Sequence, residues 1–557
     1  MYPAKLITVA KSRFLEEKAN EGGLSFAEMM ENAGRGTAVA VRRRAGCEGK
    51  RIVVLVGPGN NGGDGLVAAH YLWEMGARVT CYVWKREVEG DANFRRVQAD
   101  HLPIIWAKDD VSFQALRQLV LEADLILDAL LGVGVDRPLR GVLKELLELV
   151  REILAGWGNA QHLAETVPAG PRGSAPLVVA VDCPTGLNCD TGALDPATLP
   201  ADLTVTFAHP KVGLLRMPGA GVVGNLVVAD IGIPPDLAQE IHLQMATASE
   251  IQTWLPARPA AAHKGTFGRA LIVAGSVNYV GAAALSAAGA VRVGTGLVTI
   301  ALPMPIQPAV AANLTEATYI LLPHDMGVIA SGAVKVLQEQ FDACDALLIG
   351  PGLTQEKETV EFVHRFLGLE RAEGRGHIGF VSVAAEKEER PQFPPLVVDA
   401  DGLNALALAQ EWWNKLPAGT ILTPHPGEMA RLMGDGTTAK EIQADREALA
   451  ERMAARWEAV VVLKGALTVV ASPDGRVMVL PFANPALATA GSGDVLAGAI
   501  VGLRAQGLLP FEAAVAGAYV HGLAGTLARE DLGDMGVSAG DLPQRMPLAL
   551  RRIRRTA

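Results

Sequence analysis

Residues 51–56, RIVVLV, run straight into the turn GPGNNGGDG at 57–65 and then into the helical pattern LVAAHYLWEMG. β-Branched side chains favour a strand, closely spaced glycines a tight turn, and an apolar repeat near 3.6 residues a helix. A strand, a glycine-rich turn and a helix in that order make a βα unit, whose first helical N–H groups form an anion site. Such a unit commits the chain to a mostly parallel α/β sheet. The turn is not a GxGxxG fingerprint, because Asn60, Asn61 and Asp64 add amides and a carboxylate to it. A plain tight turn is the simpler alternative.

Residues 1–50 read as helices, with Phe26, Met29, Met30 and Ala33 at helical spacing. Further strands are expected at 77–84, 124–128 (DLILD), 177–182 (LVVAVD), 202–207 and 226–231. In an open parallel sheet ligands bind at the carboxyl ends of the strands, so Asp128 and Asp182 are expected to face one crevice. Thr185 and Asn61 add a hydroxyl and an amide oxygen, and an oxygen-only set suits a hard cation. Asp128 could instead cap the turn that follows it. Residues 155–175, rich in Gly, Ala and Pro, read as a surface insertion, and 234–249 as a linker.

The second half repeats the pattern with new chemistry. Strands expected at 268–274, 345–349, 396–399, 420–423 and 460–463 end in glycine-rich or charged turns, including GPGL, PHPGE and KGALT, with a second insertion near 370–394. The stretch 484–498, NPALATAGSGDVLAG, places Gly491, Ser492 and Gly493 directly before Asp494 and an apolar helix. Peptide N–H groups there can converge on a phosphate, and a carboxylate beside it can accept the proton of an attacking hydroxyl. Asp494 is the expected base, the alternative being an N-cap of a helix at 495–503. Lys464 can neutralise phosphate, His425 can bond a substrate, and Glu428 can orient a Mg²⁺-bound water.

Bulk properties narrow the partners. A chain of 557 residues exceeds one hydrophobic core, so two domains are expected. The formal net charge of -10 argues against a general nucleic-acid or anionic-membrane surface. Arg42–Arg44 and the arginines at 551, 552, 554 and 555 read as solvated helix faces. The five cysteines form no CxxC pair, which suits a reducing compartment and suggests neither disulfides nor zinc. The first residues lack an apolar signal region, and prolines interrupt the uncharged stretch 293–315, so a cytoplasmic protein without a membrane span is expected.

Over roughly residues 1–240, GPGNNGGDG, DALLGVG and VDCPTGLN together resemble the YjeF N-terminal family of NAD(P)H-hydrate epimerases. The resemblance implies a Rossmann-like three-layer αβα domain. It assigns the hydrated cofactor to Asn60, Asn61, Gly62, Gly63 and Asp64 and to Gly132, Val133, Gly134, Val135, Asp136, Arg137 and Pro138. It further implies K⁺ at Asn61, Asp128 and Thr185, where serine is commoner than threonine, and a substrate-facing acid at Asp182. Over roughly 246–554 the chain resembles the ribokinase-like ADP/ATP-dependent NAD(P)H-hydrate dehydratases, again a three-layer αβα fold. That resemblance places the nucleotide, with Mg²⁺, on Lys464, Gly465, Ala466, Leu467 and Thr468 and on Asn484, Pro485, Ala486, Leu487, Ala488, Thr489, Ala490, Gly491, Ser492 and Gly493. It places the hydrate on Gly352, His425 and Asp494.

Both domains in one chain resemble the bifunctional repair family, which implies NADHX, NADPHX and ADP as small-molecule ligands, and a homo-oligomer is expected. Two other readings compete. GSGD with a lysine loop also serves simple small-molecule kinases, and folds of the first type also serve as scaffolds in mRNA decapping. Asp64, Asp128 and Asp182 speak against a scaffold, which needs none of them.

Overall fold

A computed structural model describes residues 4–134, 137–157, 175–369 and 393–555. The two segments expected as insertions fall almost wholly outside the described residues, as do Val135 and Asp136. The chain divides into two compact units between Ile241 and His242.

In the first unit, Arg51–Val56 pairs in parallel with Arg78–Val83 on one side and Leu125–Ala129 on the other. Ile104–Trp106 extends one flank, and Leu177–Val181, Leu203–Phe207 and Asn225–Ala229 extend the other, all in parallel. Strand side chains alternate in direction, and the burial follows that period. Val54 and Val56 join a core with Met29, Ala33 and Leu66 from the helices Phe26–Ala45 and Asn60–Glu74. Val53 and Leu55 join a second core with Leu116 and Leu146 from Gln114–Glu122 and Gly141–Gly156. Helices therefore cover both faces, as expected of a three-layer αβα domain. Phe26 departs from the expected apolar stripe and is exposed.

The sheet order reverses at Arg51–Val56, so the loops after it and after Leu125–Ala129 diverge and leave a crevice. Gly57 sits where they come closest. A Cβ there would lie 1.7 Å from the Leu130 carbonyl oxygen, so only glycine fits.

In the second unit, Arg269–Val273 is the reversal strand, flanked in parallel by Leu297–Pro303 and Ala346–Ile349. Leu396–Val398, Ile421–Leu422 and Val460–Leu463 continue in parallel on the second flank. Val469–Ala471 and Val477–Val479 then add antiparallel, and Leu243–Met245 pairs in parallel with the last of these. The expected linker at 234–249 is thus corrected: residues 243–245 are a strand of the second sheet, because a three-residue LQM segment carries no turn signal against edge pairing. Ile272, Leu348 and Val397 pack with helices Val280–Arg292, Ser492–Ala505, Pro510–Leu532 and Asp541–Arg554. Helices Lys357–Leu367, Pro426–Met433 and Arg446–Trp457 bury Phe362, Met429 and Met453. Among the described residues no helix is long and apolar enough to cross a membrane.

Candidate active sites

Asp128 and Asp182 both stand at carboxyl ends of strands in the first sheet, as the sequence indicates. Thr185 Oγ1 donates to Asp128 Oδ1 at 2.7 Å, and Thr185 N–H donates to Oδ2 at 2.9 Å. Leu130 N–H also donates to Asp128 Oδ1, at 3.3 Å, so this carboxylate does cap the turn after it. A carboxylate offers about four lone-pair sites, and these three bonds leave room for another partner. Burial raises the Asp128 carboxyl above its ordinary range, with the Thr185 and Leu130 bonds opposing.

The Asn61 side chain is buried with neither Oδ1 nor Nδ2 hydrogen-bonded. A Cβ on Gly132 would lie 3.3 Å from it, so the Gly132 loop and Asn61 meet. An unsatisfied buried amide costs about 1–3 kcal/mol, so its oxygen is an open ligand position. Leu131 N–H donates to Thr185 Oγ1 at 3.0 Å, which ties the same loop to the Asp128 pair.

Asp182 has φ +63, a left-handed conformation that Asp tolerates better than most residues. Its Oδ1 accepts from Lys211 Nζ at 2.6 Å, Thr206 Oγ1 at 3.0 Å and Phe207 N–H at 3.4 Å. Among the described residues nothing hydrogen-bonds to Oδ2. One oxygen is anchored and the other is left for a ligand.

Lys211 is 2% exposed, and sequence reasoning missed it. Burial pulls its ammonium down, but the Asp182 charge and hydrogen bond outweigh that and hold it above its ordinary value. Its only sequence signal is a lysine set among apolar residues in HPKVG. Asp64 is buried beside this pair. Burial first, then the charges of Asp182 and Glu16, raise its carboxyl well above the ordinary range. Arg86, also missed, donates to the carbonyls of Gly57 and Gly59 at 3.0 and 3.1 Å and pairs with Asp91, holding the turn in place.

In the second unit, helix Ser492–Ala505 starts earlier than expected, and its N-cap is Gly491 at φ +88. Asp494 therefore lies in the first turn, and the capping alternative is overturned. Burial first, then Asp399, raises its carboxyl to about 7, against the opposing Lys464 charge. Ser492 N–H donates to the Thr489 carbonyl at 3.3 Å, while the Gly493 and Asp494 N–H groups have no partner among the described residues and are open to an anion. His521, which the sequence did not single out, bonds the Ser492 carbonyl through Nε2 at 3.0 Å. Burial lowers that imidazole to about 4, so it is neutral and donates.

Lys464 follows strand Val460–Leu463 and was expected to neutralise phosphate. Its Nζ pairs with Asp399 Oδ1 at 2.6 Å and lies 3.6 Å from Glu428 Oε2. Burial pulls the ammonium down, while Asp399 and then Glu428 hold it above its ordinary value. A Cβ on Gly493 would lie 3.6 Å from the same Nζ, so the lysine reaches the GSGD turn. Asp399, 1% exposed, also accepts from Thr423 Oγ1 at 2.6 Å.

His425 N-caps helix Pro426–Met433, its Nδ1 accepting from the Gly427 and Glu428 N–H groups. That fixes the proton on Nε2, which faces Glu428 at 3.5 Å. The histidine is thus structural at one nitrogen and available at the other. Gly352 lies in the turn after Ala346–Ile349, packed on Tyr279 and Ala282. In the Gly465–Thr468 turn, Leu467 N–H donates at 2.8 Å to the carbonyl of Phe482, two residues before the 484–493 loop. Within that loop Asn484 Oδ1 accepts from Ala486 N–H at 3.0 Å, while its Nδ2 is buried without a partner.

The family model described as NAD(P)H-hydrate dehydratase matches residues 270–548, and the one described as YjeF-related protein N-terminus matches 26–213. A bifunctional NAD(P)H-hydrate repair enzyme of Moorella thermoacetica is 39% identical, over 98% of this chain and 97% of the relative. The chain belongs to the bifunctional NAD(P)H-hydrate repair enzymes. The Escherichia coli member of this repair family is 32% identical over 94% of this chain and 90% of its own length. A crystal structure of the ADP/ATP-dependent NAD(P)H-hydrate dehydratase of Bacillus subtilis, co-crystallised with ATP/Mg²⁺, is 32% identical. It covers 56% of this chain and 98% of that one, with a TM-score of 0.45. Members of the repair family thus match both units, and the division between Ile241 and His242 falls between the two family matches.

Proposed function

We propose that the first unit, residues 1–240, interconverts R- and S-NAD(P)HX, and that the second, 246–554, dehydrates the S form of NADHX or NADPHX with consumption of ADP. The observation that carries the dehydratase reading is Asp494, in the first turn of its helix beside the Lys464 ammonium, with a carboxyl raised to about 7. Asp494 accepts the proton of the C6 hydroxyl as that oxygen bonds to the terminal phosphorus of ADP and the phosphoanhydride bond breaks, leaving AMP. The C6–O bond then breaks with the ring nitrogen's electrons, phosphate departs, and loss of the C5 proton restores the double bond. His425 Nε2–H and the Gly352 turn orient the hydrate, and the turns 464–468 and 484–493 hold the nucleotide.

Among the described residues no three His, Cys, Asp or Glu side chains are arranged to hold a metal alone. That fits Mg²⁺, which binds through nucleotide phosphates, waters and one or two carboxylates. Glu428 would hold the ion through a water, and the ion would supply charge neutralisation at the phosphates. In the first unit, the orphaned Asn61 amide beside Gly132, with Asp128 and Thr185, fits a hard cation such as K⁺. Such an ion would fix the loops around the substrate. Asp182 Oδ2 takes or returns the proton at C6, while Asp64, its carboxyl raised well above the ordinary range, lies in the same crevice. The first residues of helix Asn60–Glu74, 60–64, and the segment 132–138 hold the cofactor body. A cytoplasmic homo-oligomer completes the reading, checked by light scattering.

Incubating the full chain with an R/S mixture of NADHX, with ADP in one arm and ATP in another, tests both activities. Recovery of all the near-ultraviolet absorbance with equimolar phosphate is expected with ADP. A stable phosphorylated product would favour a kinase instead. Gly493→Val tests the nucleotide cradle. A Cβ at Gly493 meets nothing within 4 Å except Lys464 Nζ, so the fold tolerates the change. The valine fills space beside the phosphates, and ADP affinity by calorimetry should fall at least about tenfold, or about 1.4 kcal/mol. Unchanged affinity would place the nucleotide elsewhere.

A further inference from the structure

The second unit has a cavity of about 470 Å³ that the chemistry above leaves unused. Its polar rim is Arg258, Arg292, Arg551, Arg554 and Arg555, and its floor includes Leu255, Val293, Leu503 and Leu550. No Asp or Glu is among the described residues that line it. It lies at the opposite end of helix Ser492–Ala505 from Asp494, about 18 Å away at 1.5 Å per residue from Asp494 to Gln506. It is therefore distinct from the dehydratase site.

Backbone carbonyls and helix C-termini take up part of this charge. Four helices, Ala248–Trp254, Val280–Arg292, Ser492–Ala505 and Asp541–Arg554, end at the cavity. Arg258 donates to the Gly294 carbonyl and, at 2.7 Å, to Gln506 Oε1, and stacks on Phe267 at 3.7 Å. Arg554 donates to the Pro256 carbonyl at 2.8 Å, and Arg292 to the Pro543 carbonyl at 3.3 Å. Each helix C-terminus carries about half a negative charge, so four offset roughly two of the five positive charges. The excess is about three charges in one cavity.

The like charges also press on one another. After burial, the Arg554 charge is the cause that lowers Arg258 below its ordinary value. Arg551 and Arg555 are exposed and have no side-chain hydrogen bond or ion pair among the described residues. Guanidinium groups bind phosphate in a fixed fork geometry, and a partly enclosed site with an apolar floor strengthens that attraction. The volume lies in the range of small-ligand sites, about 300–1,000 Å³.

We propose that this cavity is a second ligand site, for a small organic phosphate whose phosphate lies on the arginine rim and whose apolar or aromatic body lies on the leucine floor. The site is independent of the reactions proposed above. Its test is calorimetry on the full chain with 1-naphthyl phosphate, with inorganic phosphate and 1-naphthol as separate arms. Arg551→Ala/Arg555→Ala is the variant, since both residues are exposed and neither belongs to the catalytic or nucleotide-binding turns. Saturable binding of 1-naphthyl phosphate, tighter than either half alone, is expected. The double variant should bind it at least tenfold more weakly, with its thermal midpoint and its turnover at saturating ADP unchanged. Equal affinity in the two proteins, or no saturable binding, would overturn the site. Inorganic phosphate binding as tightly as 1-naphthyl phosphate would overturn the apolar half. A double variant that changes oligomeric mass instead would show a surface between copies of the chain.

Discussion

Asp494→Asn should bind ADP as the native chain does and turn over S-NAD(P)HX about 10²- to 10⁴-fold more slowly, the usual cost of a lost general base. The substitution is isosteric, and among the described residues the Asp494 carboxyl makes no hydrogen bond, while Lys464 keeps its pairing with Asp399. The folded carboxyl, at about 7, lies above the ordinary 3.8. The unfolded state therefore ionises first, and this group lowers stability as pH rises from about 4 through about 7. Asn removes that loss, so above pH 7 the variant's thermal midpoint should equal or exceed the native one. The same ionisation sets the pH profile. A base must be deprotonated, so native dehydratase kcat/KM should be level above about pH 8 and fall about tenfold per unit below about pH 6. Turnover of Asp494→Asn within a few-fold of native would remove Asp494 from the chemistry.

What the sequence shows and what it hides divide along range. The buried strands are legible because runs such as RIVVLV and LVVAVD are rich in β-branched residues, and the ends of such runs locate Asp128 and Asp182. The GSGD turn is legible because three crowded residues must precede a helix start. The three-residue strands Leu243–Met245, Val469–Ala471 and Val477–Val479 are not, since so short a run has no period to read.

Pairings across the sheet are equally hidden. Lys211 meets Asp182 across 29 residues and Lys464 meets Asp399 across 65. Lys464 was expected as a bare phosphate ligand, and its pairing with Asp399 is fixed only by which strands are neighbours. The C-terminal arginines were read as a solvated helix face. They are exposed, yet Arg551, Arg554 and Arg555 also line a cavity with Arg258, nearly 300 residues earlier, a juxtaposition only the fold creates.

For the first unit the expected result is a progress curve that stalls. With an R/S mixture and excess ADP, the native chain should run to completion, because S is consumed and R is inverted to replace it. Inversion needs the bond from C6 to oxygen to break and re-form on the other face, with a positioned group moving the proton. Asp182 offers Oδ2 for this while Oδ1 is held by Lys211, Thr206 and the Phe207 N–H. The informative substitution is Asp182→Asn rather than Ala. Alanine would take from the buried Lys211 ammonium its hydrogen-bond acceptor as well as its counter-charge, and breaking a buried pair costs about 3–5 kcal/mol, so lost folding could mimic lost catalysis. Asparagine keeps an oxygen for Lys211, tolerates the left-handed φ of +63, and replaces the free Oδ2 by an amide that cannot accept a proton. Pure S-NADHX should then be converted at the native rate, since the second unit is untouched. The mixture should stop when S is exhausted, with R disappearing afterwards only at its slow spontaneous rate, at least about 10²-fold below the native one. Consumption of R at the native rate by a folded Asp182→Asn chain would show that this carboxylate does not move the proton.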